Sequence, residues 1–252
     1  MRLEGKTALV TGAGSGMGKA IATLYAKEGA NVVVTDINKE SVDAVVEEIT
    51  ANGGQAIGVV ANVVNQDDVD TMIKSAVDTY GGLDILVNNA GILDNFVPVG
   101  DLTDELWDRV VGVNLTGAFK AARAAINVME AQEHGGVIIN NASVGGLFGS
   151  RGGAAYTASK HGLIGLTKNI AATYGTYGKV RSNVIAPGGV KTNIQSTIDA
   201  PNPLGGQAIA GAGTAPLAEA EEIAQVALFL GSDESSFVNG AVIVADGGWT
   251  AK

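Results

Sequence analysis

Cysteine is absent from the 252 residues, and histidine occurs only twice, at His134 and His161. The absence of cysteine excludes disulfide bonds, thiolate nucleophiles and cysteine-ligated zinc or iron–sulfur centres. Two histidines are too few for a histidine-rich metal site. We therefore expect no metal centre.

Positive charge is also scarce, because 16 Lys and Arg residues face 26 Asp and Glu residues, which gives a formal net charge of −10. A nucleic acid would meet net repulsion. No apolar run approaches the roughly 18–20 residues that cross a membrane. The charged start Met1–Lys6 does not resemble a secretory signal. We expect a cytoplasmic protein that binds a small molecule, without nucleic-acid or membrane partners.

The chain is rich in apolar residues, which make up 46% of it, and in glycine, with 36 residues. Short β-branched runs alternate with segments of helical period, and no linker divides them. The pattern predicts one α/β domain, residues 1–252, with a doubly wound parallel sheet of about seven strands and helices on both faces. Strands are predicted at Thr7–Thr11, Asn31–Asp36, Gln55–Ala61, Leu83–Asn88, Val137–Asn141, Val180–Ile185 and Ala241–Val244. Helices are predicted at Ala20–Glu28, Lys39–Ala51, Gln66–Tyr80, Thr103–Glu130 with an interruption near Asn114, Ala155–Thr173 and Glu219–Leu230.

One stretch, residues 193–216, is rich in small residues and contains Pro201 and Pro203. It shows no clear period. An irregular segment of this length in a compact domain is typical of a substrate lid or binding loop, whereas a disordered surface excursion is the alternative. With Leu93, Asp94, Val144, Leu147 and Gly189 it is expected to border a mainly apolar substrate pocket.

A glycine-rich turn, Thr11–Gly18, joins the first predicted strand to the first helix. The Walker A pattern fails at Ala13 and Ala20, which disfavours triphosphate hydrolysis. The strict G-x-G-x-x-G pattern fails at Met17, which leaves Gly12-x-x-x-Gly16-x-Gly18. Such a turn lets the backbone approach a pyrophosphate at the start of a helix. A sharp turn without a ligand is the alternative.

Asp36 ends the second predicted strand, where a carboxylate can accept both ribose hydroxyls of an adenosine. A 2′-phosphate at the same place would be opposed by a few kcal/mol at an effective dielectric constant of about 20. The sequence therefore favours NAD(H) over NADP(H), although Lys39 lies close by. The alternative is an ordinary turn-forming aspartate.

Further motifs follow in order: Asn88-Asn89-Ala90-Gly91, Asn114, Ser143, Tyr156-x-x-x-Lys160 and Pro187-Gly188. With the glycine turn they resemble, over essentially the whole length, the classical short-chain dehydrogenases/reductases. No single motif is specific, but the complete ordered series is. The resemblance implies a seven-stranded Rossmann sheet, a nicotinamide cofactor, interconversion of an alcohol and a carbonyl, and a homotetramer.

The resemblance also implies a role for each motif residue. Tyr156 would be the acid/base, Lys160 its activator and a ribose ligand, Ser143 the hydroxyl that orients the carbonyl, and Asn114 the holder of a proton-relay water. An amide at Asn62 stands where the family often has an aspartate near the adenine. Cofactor contacts are implied for Gly12, Ser15, Gly16, Met17, Gly18, Asp36, Asn62, Val63, Asn89, Ala90, Gly91, Tyr156, Lys160, Pro187, Gly188, Val190 and Thr192.

Tyr156 and Lys160 are four residues apart on a predicted helix, so their side chains share a face. Lowering the pKa of a tyrosine from near 10 to about 7 requires roughly 4 kcal/mol. One ammonium about 4 Å away supplies that much at an effective dielectric constant of about 20. We expect Lys160 to lower the pKa of Tyr156, so that the phenol exchanges a proton near neutral pH. An amphipathic helix with a solvent-reaching lysine is the structural alternative.

Three functions remain open. The first is an NAD(H)-dependent alcohol dehydrogenase or carbonyl reductase for small or medium secondary alcohols and ketones. The second is a 3-oxoacyl-[acyl-carrier-protein] reductase, which the acidic segment Met129–His134 disfavours because an acidic carrier needs a basic docking surface. The third is a dinucleotide sensor without catalysis, which would not need the complete set of catalytic groups.

Overall fold

The computed structural model describes residues 1–214 and 216–251. Ala215, which falls within the lid expected at 193–216, and Lys252 lie outside the described residues. No helix among the described residues is long and apolar enough to span a lipid bilayer.

The strands are β1 Thr7–Thr11, β2 Asn31–Asp36, β3 Gln55–Val60, β4 Ile85–Asn88, β5 Gly136–Asn141, β6 Val180–Pro187, β7 Gly189–Val190, β8 Leu217–Ala218 and β9 Val242–Ala245. The seven strands predicted from the sequence form one parallel sheet in the spatial order β3-β2-β1-β4-β5-β6-β9. The chain order reverses between β1 and β4, and ligands of open α/β sheets bind at such a switch point. A separate ladder pairs β7 with β8.

Helices cover both faces of the sheet, as the sequence predicts. The helices are α1 Gly16–Lys27, α2 Lys39–Ala51, α3 Gln66–Tyr80, α4 Asp104–Val111, α5 Ala118–Ala131, α6 Ala154–Tyr177, α7 Pro203–Gly211 and α8 Ala220–Gly231. The expected interruption near Asn114 is a π-helical turn, residues 112–117, that joins α4 to α5 without a break. Helix α6 runs past its predicted end at Thr173 to Tyr177.

The core has two layers because successive strand residues face opposite sides of the sheet. Leu9 belongs to the cluster that packs under α3 and α5, while its neighbour Val10 belongs to the cluster under α1 and α8. Both side chains are fully buried. This explains why the strands are apolar throughout instead of alternating.

The segment 193–216 is more ordered than its composition predicts. It contains helix α7, whose first residue, Pro203, lacks an N–H that the helix would leave unpaired in any case. The side chain of Asn202 accepts hydrogen bonds from the N–H groups of Leu204 and Gly205. A regular helix therefore replaces the irregular stretch expected from sequence.

Buried amides link the carboxyl ends of the central strands. Asn88 on β4 donates to the Oδ1 of Asn140 on β5 at 2.9 Å, and Asn140 donates to the hydroxyl of Thr167 on α6 at 2.8 Å. On the neighbouring positions, Asn141 donates to the Oδ1 of Asn89 at 2.9 Å. These bonds fix the sheet edge against α6.

Replacing Asn140 with alanine would remove the shorter of the two hydrogen bonds that the buried Asn88 amide donates, leaving the 3.3 Å bond to the Ala118 carbonyl. We expect the free energy of unfolding to fall by about 2–4 kcal/mol, measured by urea denaturation. Asn52→Ala, which removes an exposed side-chain bond at the end of α2, is the control and should cost less than about 1 kcal/mol. Equal losses in the two variants would contradict a stabilising role for the buried amides.

Candidate active site

The glycine turn occupies the switch point between β1 and β4. Gly12 and Gly16 have positive φ angles of 63° and 51°, which favour glycine. Gly18 is needed for a different reason: a Cβ there would lie 2.1 Å from the carbonyl oxygen of Gly12. Gly18 is buried and allows α1 to pack closely against the glycine turn, and its expected cofactor contact stays a prediction.

The start of α1 differs from that of most other helices. The N-cap side chains of α2, α3, α4 and α7 each accept a hydrogen bond from their own helix. Ser15, the N-cap of α1, makes no such bond, and no acidic residue lies in the first turn. The helix N–H groups and dipole therefore remain directed at the glycine turn, which suits an anion such as a pyrophosphate.

Asp36 extends over the glycine turn from the end of β2. Its Oδ2 accepts from the N–H of Gly14 at 3.0 Å and its Oδ1 from the N–H of Asn38 at 3.1 Å. A Cβ on Gly14 would lie 2.9 Å from that Oδ2. Asp36 therefore makes turn-forming hydrogen bonds and also lines the clefts described next. Each of its carboxylate oxygens can still accept a further hydrogen bond.

Two adjoining clefts of about 210 and 690 Å³ open along this edge and share Gly12, Asp36, Ala90 and Gly91. Eleven of the seventeen residues predicted to contact the cofactor line them: Gly12, Ser15, Gly16, Met17, Asp36, Asn62, Val63, Asn89, Ala90, Gly91 and Thr192. Together the clefts offer an anion-binding helix start, a carboxylate and an apolar wall.

The remaining predicted contacts lie beyond the lining of these clefts. Pro187 ends β6, and a Cβ on Gly188 would lie 2.7 Å from the Cβ of Asp246. Val190 packs against the core from β7. Thr192, by contrast, lines the smaller cleft, and its Cβ is 3.1 Å from the place of a Cβ on Gly16. Gly188 is thus required for close passage past the carboxyl end of β9.

Helix α6 places Tyr156 and Lys160 on its buried face, as their spacing predicts. Lys160 Nζ lies 5.7 Å from the centroid of the Tyr156 ring. It donates a hydrogen bond of 2.9 Å to the carbonyl oxygen of Asn141, at the end of β5. Ser143 follows the same strand, and its hydroxyl lies beside the Tyr156 ring: a Cβ on Gly145 would be 3.3 Å from Ser143 Oγ and 3.2 Å from Tyr156 Cε1. The three side chains therefore meet at the carboxyl edge of the sheet.

The pKa directions follow burial. Burial raises the pKa of Tyr156, and this effect outweighs the lowering due to the Ser143 hydrogen bond. The lowering expected from Lys160 is not found. Burial also lowers the pKa of Lys160 from 10.5 to about 8. Both shifts have the same cause, since a low-dielectric surrounding disfavours the phenolate and the ammonium alike.

Asn114 stands in the π-helical turn and holds the loop after β4. Its Oδ1 accepts from the N–H of Ile92 at 2.9 Å, and its Nδ2 donates to the carbonyl of Ile92 at 3.0 Å. The amide also donates to the hydroxyl of Ser159 on α6 at 3.2 Å. Asn114 thus connects this loop to the helix that bears Tyr156.

Two supporting residues were not predicted from the sequence. The Asn141 carbonyl holds the Lys160 ammonium, and the Thr11 hydroxyl accepts from the N–H groups of Asn89 and Ala90 at 3.0 and 3.1 Å. The sequence feature that could have identified both residues is their position, because each of them ends a parallel strand. Asp94, expected to border the pocket, is instead fully buried beneath the start of α6.

An apolar surround encloses the Tyr156 ring. Leu93 and Ala155 form a buried cluster with it, and Phe96, Ile194 and Ile198 pack against that cluster. The segment around α7 is attached to this wall, since Asn202 donates from its N–H to the carbonyl of Asn95 at 2.8 Å. Of the other expected pocket borders, Leu147 packs against a different cluster.

The sheet order and the switch-point clefts define a single Rossmann-type α/β domain. The family model described as enoyl-(acyl carrier protein) reductase matches residues 12–250. The chain belongs to the short-chain dehydrogenase/reductase family of oxidoreductases, which confirms the resemblance inferred from the motifs.

Individual relatives align over nearly the whole chain. 3β-Hydroxysteroid dehydrogenase 2 of Eggerthella lenta is 42% identical over 99% of this chain and 96% of its own. The 3-oxoacyl-[acyl-carrier-protein] reductase of Thermotoga maritima is 41% identical over 98% of this chain and 99% of its own. The crystal structure of gox2181 matches with a TM-score of 0.90 at 31% identity, covering 100% of this chain and 98% of that one.

The burial of Lys160 predicts that the free energy of unfolding depends on pH. Because its folded pKa of about 8 lies below its ordinary 10.5, the buried ammonium costs folding free energy below the folded pKa, and this cost fades as pH rises. Relative to Lys160→Met, the free energy of unfolding of the unsubstituted protein should rise by about 2 kcal/mol between about pH 7.5 and 9.5. Urea denaturation at each pH measures the difference. A difference that does not change with pH would contradict it.

Proposed function

We propose that the protein is an NAD(H)-dependent alcohol dehydrogenase or carbonyl reductase that acts on small or medium secondary alcohols and ketones. The observation that carries the proposal is the meeting of Tyr156, Lys160 and Ser143 beside the switch-point clefts. A phenol, an ammonium and a hydroxyl at one point supply the proton donor, the positive charge and the second hydrogen-bond donor that carbonyl reduction requires.

The nicotinamide of the bound cofactor would supply or accept the hydride. The side chains of the chain handle the proton and the oxygen atom. Ser143 accepts from the N–H of Gly145 at 2.9 Å, which leaves its own hydrogen free to donate. In reduction Tyr156 gives its phenolic proton to the carbonyl oxygen, and in oxidation the phenolate takes the proton of the alcohol. The Lys160 ammonium, held by the Asn141 carbonyl, supplies positive charge 5.7 Å from the ring centroid, while burial keeps the pKa of the phenol raised.

The residues present fit a dinucleotide. Gly12, Gly16 and the start of α1 leave room and N–H groups for a pyrophosphate, and Asn62 and Val63 line the cleft beyond Asp36. The carboxylate of Asp36 supports NAD(H), because a 2′-phosphate there would meet its negative charge. Tyr156 and Lys160 would face the nicotinamide riboside.

The substrate side supports an apolar alcohol or ketone. Tyr156 packs among Leu93, Phe96, Ile194 and Ile198, and α7 flanks this region. We propose that the segment 193–216 acts as the lid. A relative named as a hydroxysteroid dehydrogenase is consistent with an apolar substrate.

The main alternative is a 3-oxoacyl-[acyl-carrier-protein] reductase, which the Thermotoga maritima relative supports. The acidic segment Met129–His134 does not bear on it, because the segment precedes β5 and thus lies at the opposite edge of the sheet from Tyr156. Charge at the cleft itself is more relevant. Asp36, Asp108 and Asp199 line the larger cleft against one cation, Arg109, which disfavours an acidic carrier.

The site is less consistent with a non-catalytic sensor, because a protein that only binds a dinucleotide does not need Tyr156, Lys160 and Ser143 close together. The expectations of a cytoplasmic location and a homotetramer remain part of the proposal. The exposed aromatic rings of Trp107 and Phe119 on α4 and α5 are compatible with an interface between copies of the chain.

Tyr156→Phe tests the chemistry. Turnover should fall by about 10³-fold or more, since the proton donor is lost, while NADH binding measured by fluorescence titration stays within about twofold. The assay uses secondary alcohols, ketones and a carrier-bound 3-oxoacyl substrate. Tyr177→Phe, at an exposed tyrosine, should leave turnover unchanged. Retained turnover in Tyr156→Phe would overturn the mechanism, and strong preference for the carrier-bound substrate would favour the alternative.

Asp36→Asn tests the cofactor. The substitution removes the negative charge but keeps an amide oxygen that accepts from one N–H group. The ratio of kcat/KM with NADPH to kcat/KM with NADH should rise by about tenfold or more. Asp43→Asn, an exposed charge on α2, should leave that ratio unchanged. A wild-type enzyme that already prefers NADPH would refute the assignment to NAD(H).

A further inference from the structure

Asp94 caps the catalytic helix from a distant part of the chain. Its Oδ1 accepts from the N–H of Gly153 at 2.9 Å, and its Oδ2 accepts from the N–H of Tyr156 at 2.8 Å. Gly153, the N-cap of α6, has no side chain that could do this. The Val97 carbonyl accepts a hydrogen bond of 2.9 Å from the N–H of Ala154. The segment after β4 therefore satisfies the first turn of α6.

The fit between Asp94 and Gly153 leaves no space. A Cβ on Gly153 would lie 2.5 Å from both oxygens of Asp94. The side chain is 0% exposed. The glycine before α6 is thus explained by the carboxylate, and any shift of Asp94 would shift the turn that carries Tyr156.

Within the part of the chain that the structure describes, the buried carboxylate has no cationic partner at contact distance. None of the ion pairs among residues 1–214 and 216–251 includes Asp94. Its charge is stabilised by the two N–H groups and by the positive end of the 24-residue helix. A neutral side chain would avoid the desolvation cost of a buried ion, which points to a use for the charge.

The phenol of Tyr156 lies within the field of that charge. Lys160 approaches Tyr156 from the next turn of α6, with its Nζ 5.7 Å from the ring centroid, and Asp94 approaches from the segment after β4, with its Oδ2 2.8 Å from the Tyr156 backbone nitrogen. The guanidinium of Arg151 is stacked instead on Trp249, 4.1 Å from the ring centroid. The negative charge of Asp94 adds to burial in raising the pKa of Tyr156.

We propose that Asp94 is a positioning residue for the reaction: it holds the first turn of α6, and thereby Tyr156, against Ser143 and Lys160, and its charge opposes ionisation of the phenol. The inference rests on the proposed function of Tyr156. Asp94 and burial both favour the protonated phenol. The site therefore holds the phenol protonated until positive charge beside it favours the phenolate.

Asp94→Asn is the most informative variant, because asparagine keeps the shape, loses the charge and offers one acceptor for two N–H groups. We expect kcat for alcohol oxidation to fall by about tenfold. The midpoint of the pH profile should move to lower pH, because the charge that opposes the phenolate is gone. A purely structural role would lower kcat without moving the midpoint.

A second readout does not depend on turnover. Tyrosinate difference absorbance, taken between each protein and its Tyr156→Phe counterpart, reports ionisation of this one phenol. The midpoint should lie at lower pH in Asp94→Asn than in the unsubstituted protein. Asp70→Asn, which removes an exposed charge on α3, is the matched control and should move neither midpoint. Circular dichroism checks the fold, and Asp94→Ser serves if the asparagine variant does not fold.

The outcomes separate the two proposals. If Tyr156→Phe abolishes turnover while Asp94→Asn keeps the wild-type kcat and both midpoints, the role of Asp94 is overturned and the proposed function stands. If Tyr156→Phe retains turnover, the proposed function fails whatever Asp94 does. A midpoint that moves to higher pH in Asp94→Asn would also overturn the inference.

Discussion

The carboxyl edge of the parallel sheet is the constraint on which the rest of the molecule depends. Parallel strands end at the same edge, so residues far apart in sequence are brought together there. Buried amides make the edge specific: Asn88 and Asn140 join β4, β5 and α6, and Asn141 and Asn89 join β5 to the glycine turn. The Nδ2 groups of all four amides donate hydrogen bonds, which makes small displacements costly, whereas the Oδ1 of Asn141 is buried without a partner.

That edge also explains the electrostatics of the site. Asp94 and Lys160 both lie on or beneath the first turns of α6, and both are buried. In such surroundings a charge is expensive unless backbone groups satisfy it, and here N–H groups serve the carboxylate while the Asn141 carbonyl serves the ammonium. Tyr156 is next to both groups, since its N–H donates to Asp94 and its ring centroid lies 5.7 Å from Lys160 Nζ.

The proposed substrate side of the site is formed by apolar packing instead of buried polar groups. The ring of Tyr156 is surrounded by apolar side chains, and α7 is attached to that wall through Asn202 and Asn95. The short β7–β8 ladder closes the base of the segment that carries α7. An ordered helix tied at both ends can cover an apolar substrate with few polar contacts, which is consistent with a lid that selects by shape.

The sequence by itself determined the parallel α/β fold, the glycine turn at its switch point and the shared face of Tyr156 and Lys160, because hydrophobic period and helical spacing are local properties. It did not reveal α7, which its composition obscures and which the Asn202 cap and the contact with Asn95 support. Only the tertiary structure decided that Asp94 caps α6, that Gly18 packs against the carbonyl of Gly12, and that segment 129–134 lies at the far edge. It also decided the direction of the Tyr156 pKa, since burial, unlike spacing, depends on everything that surrounds the side chain.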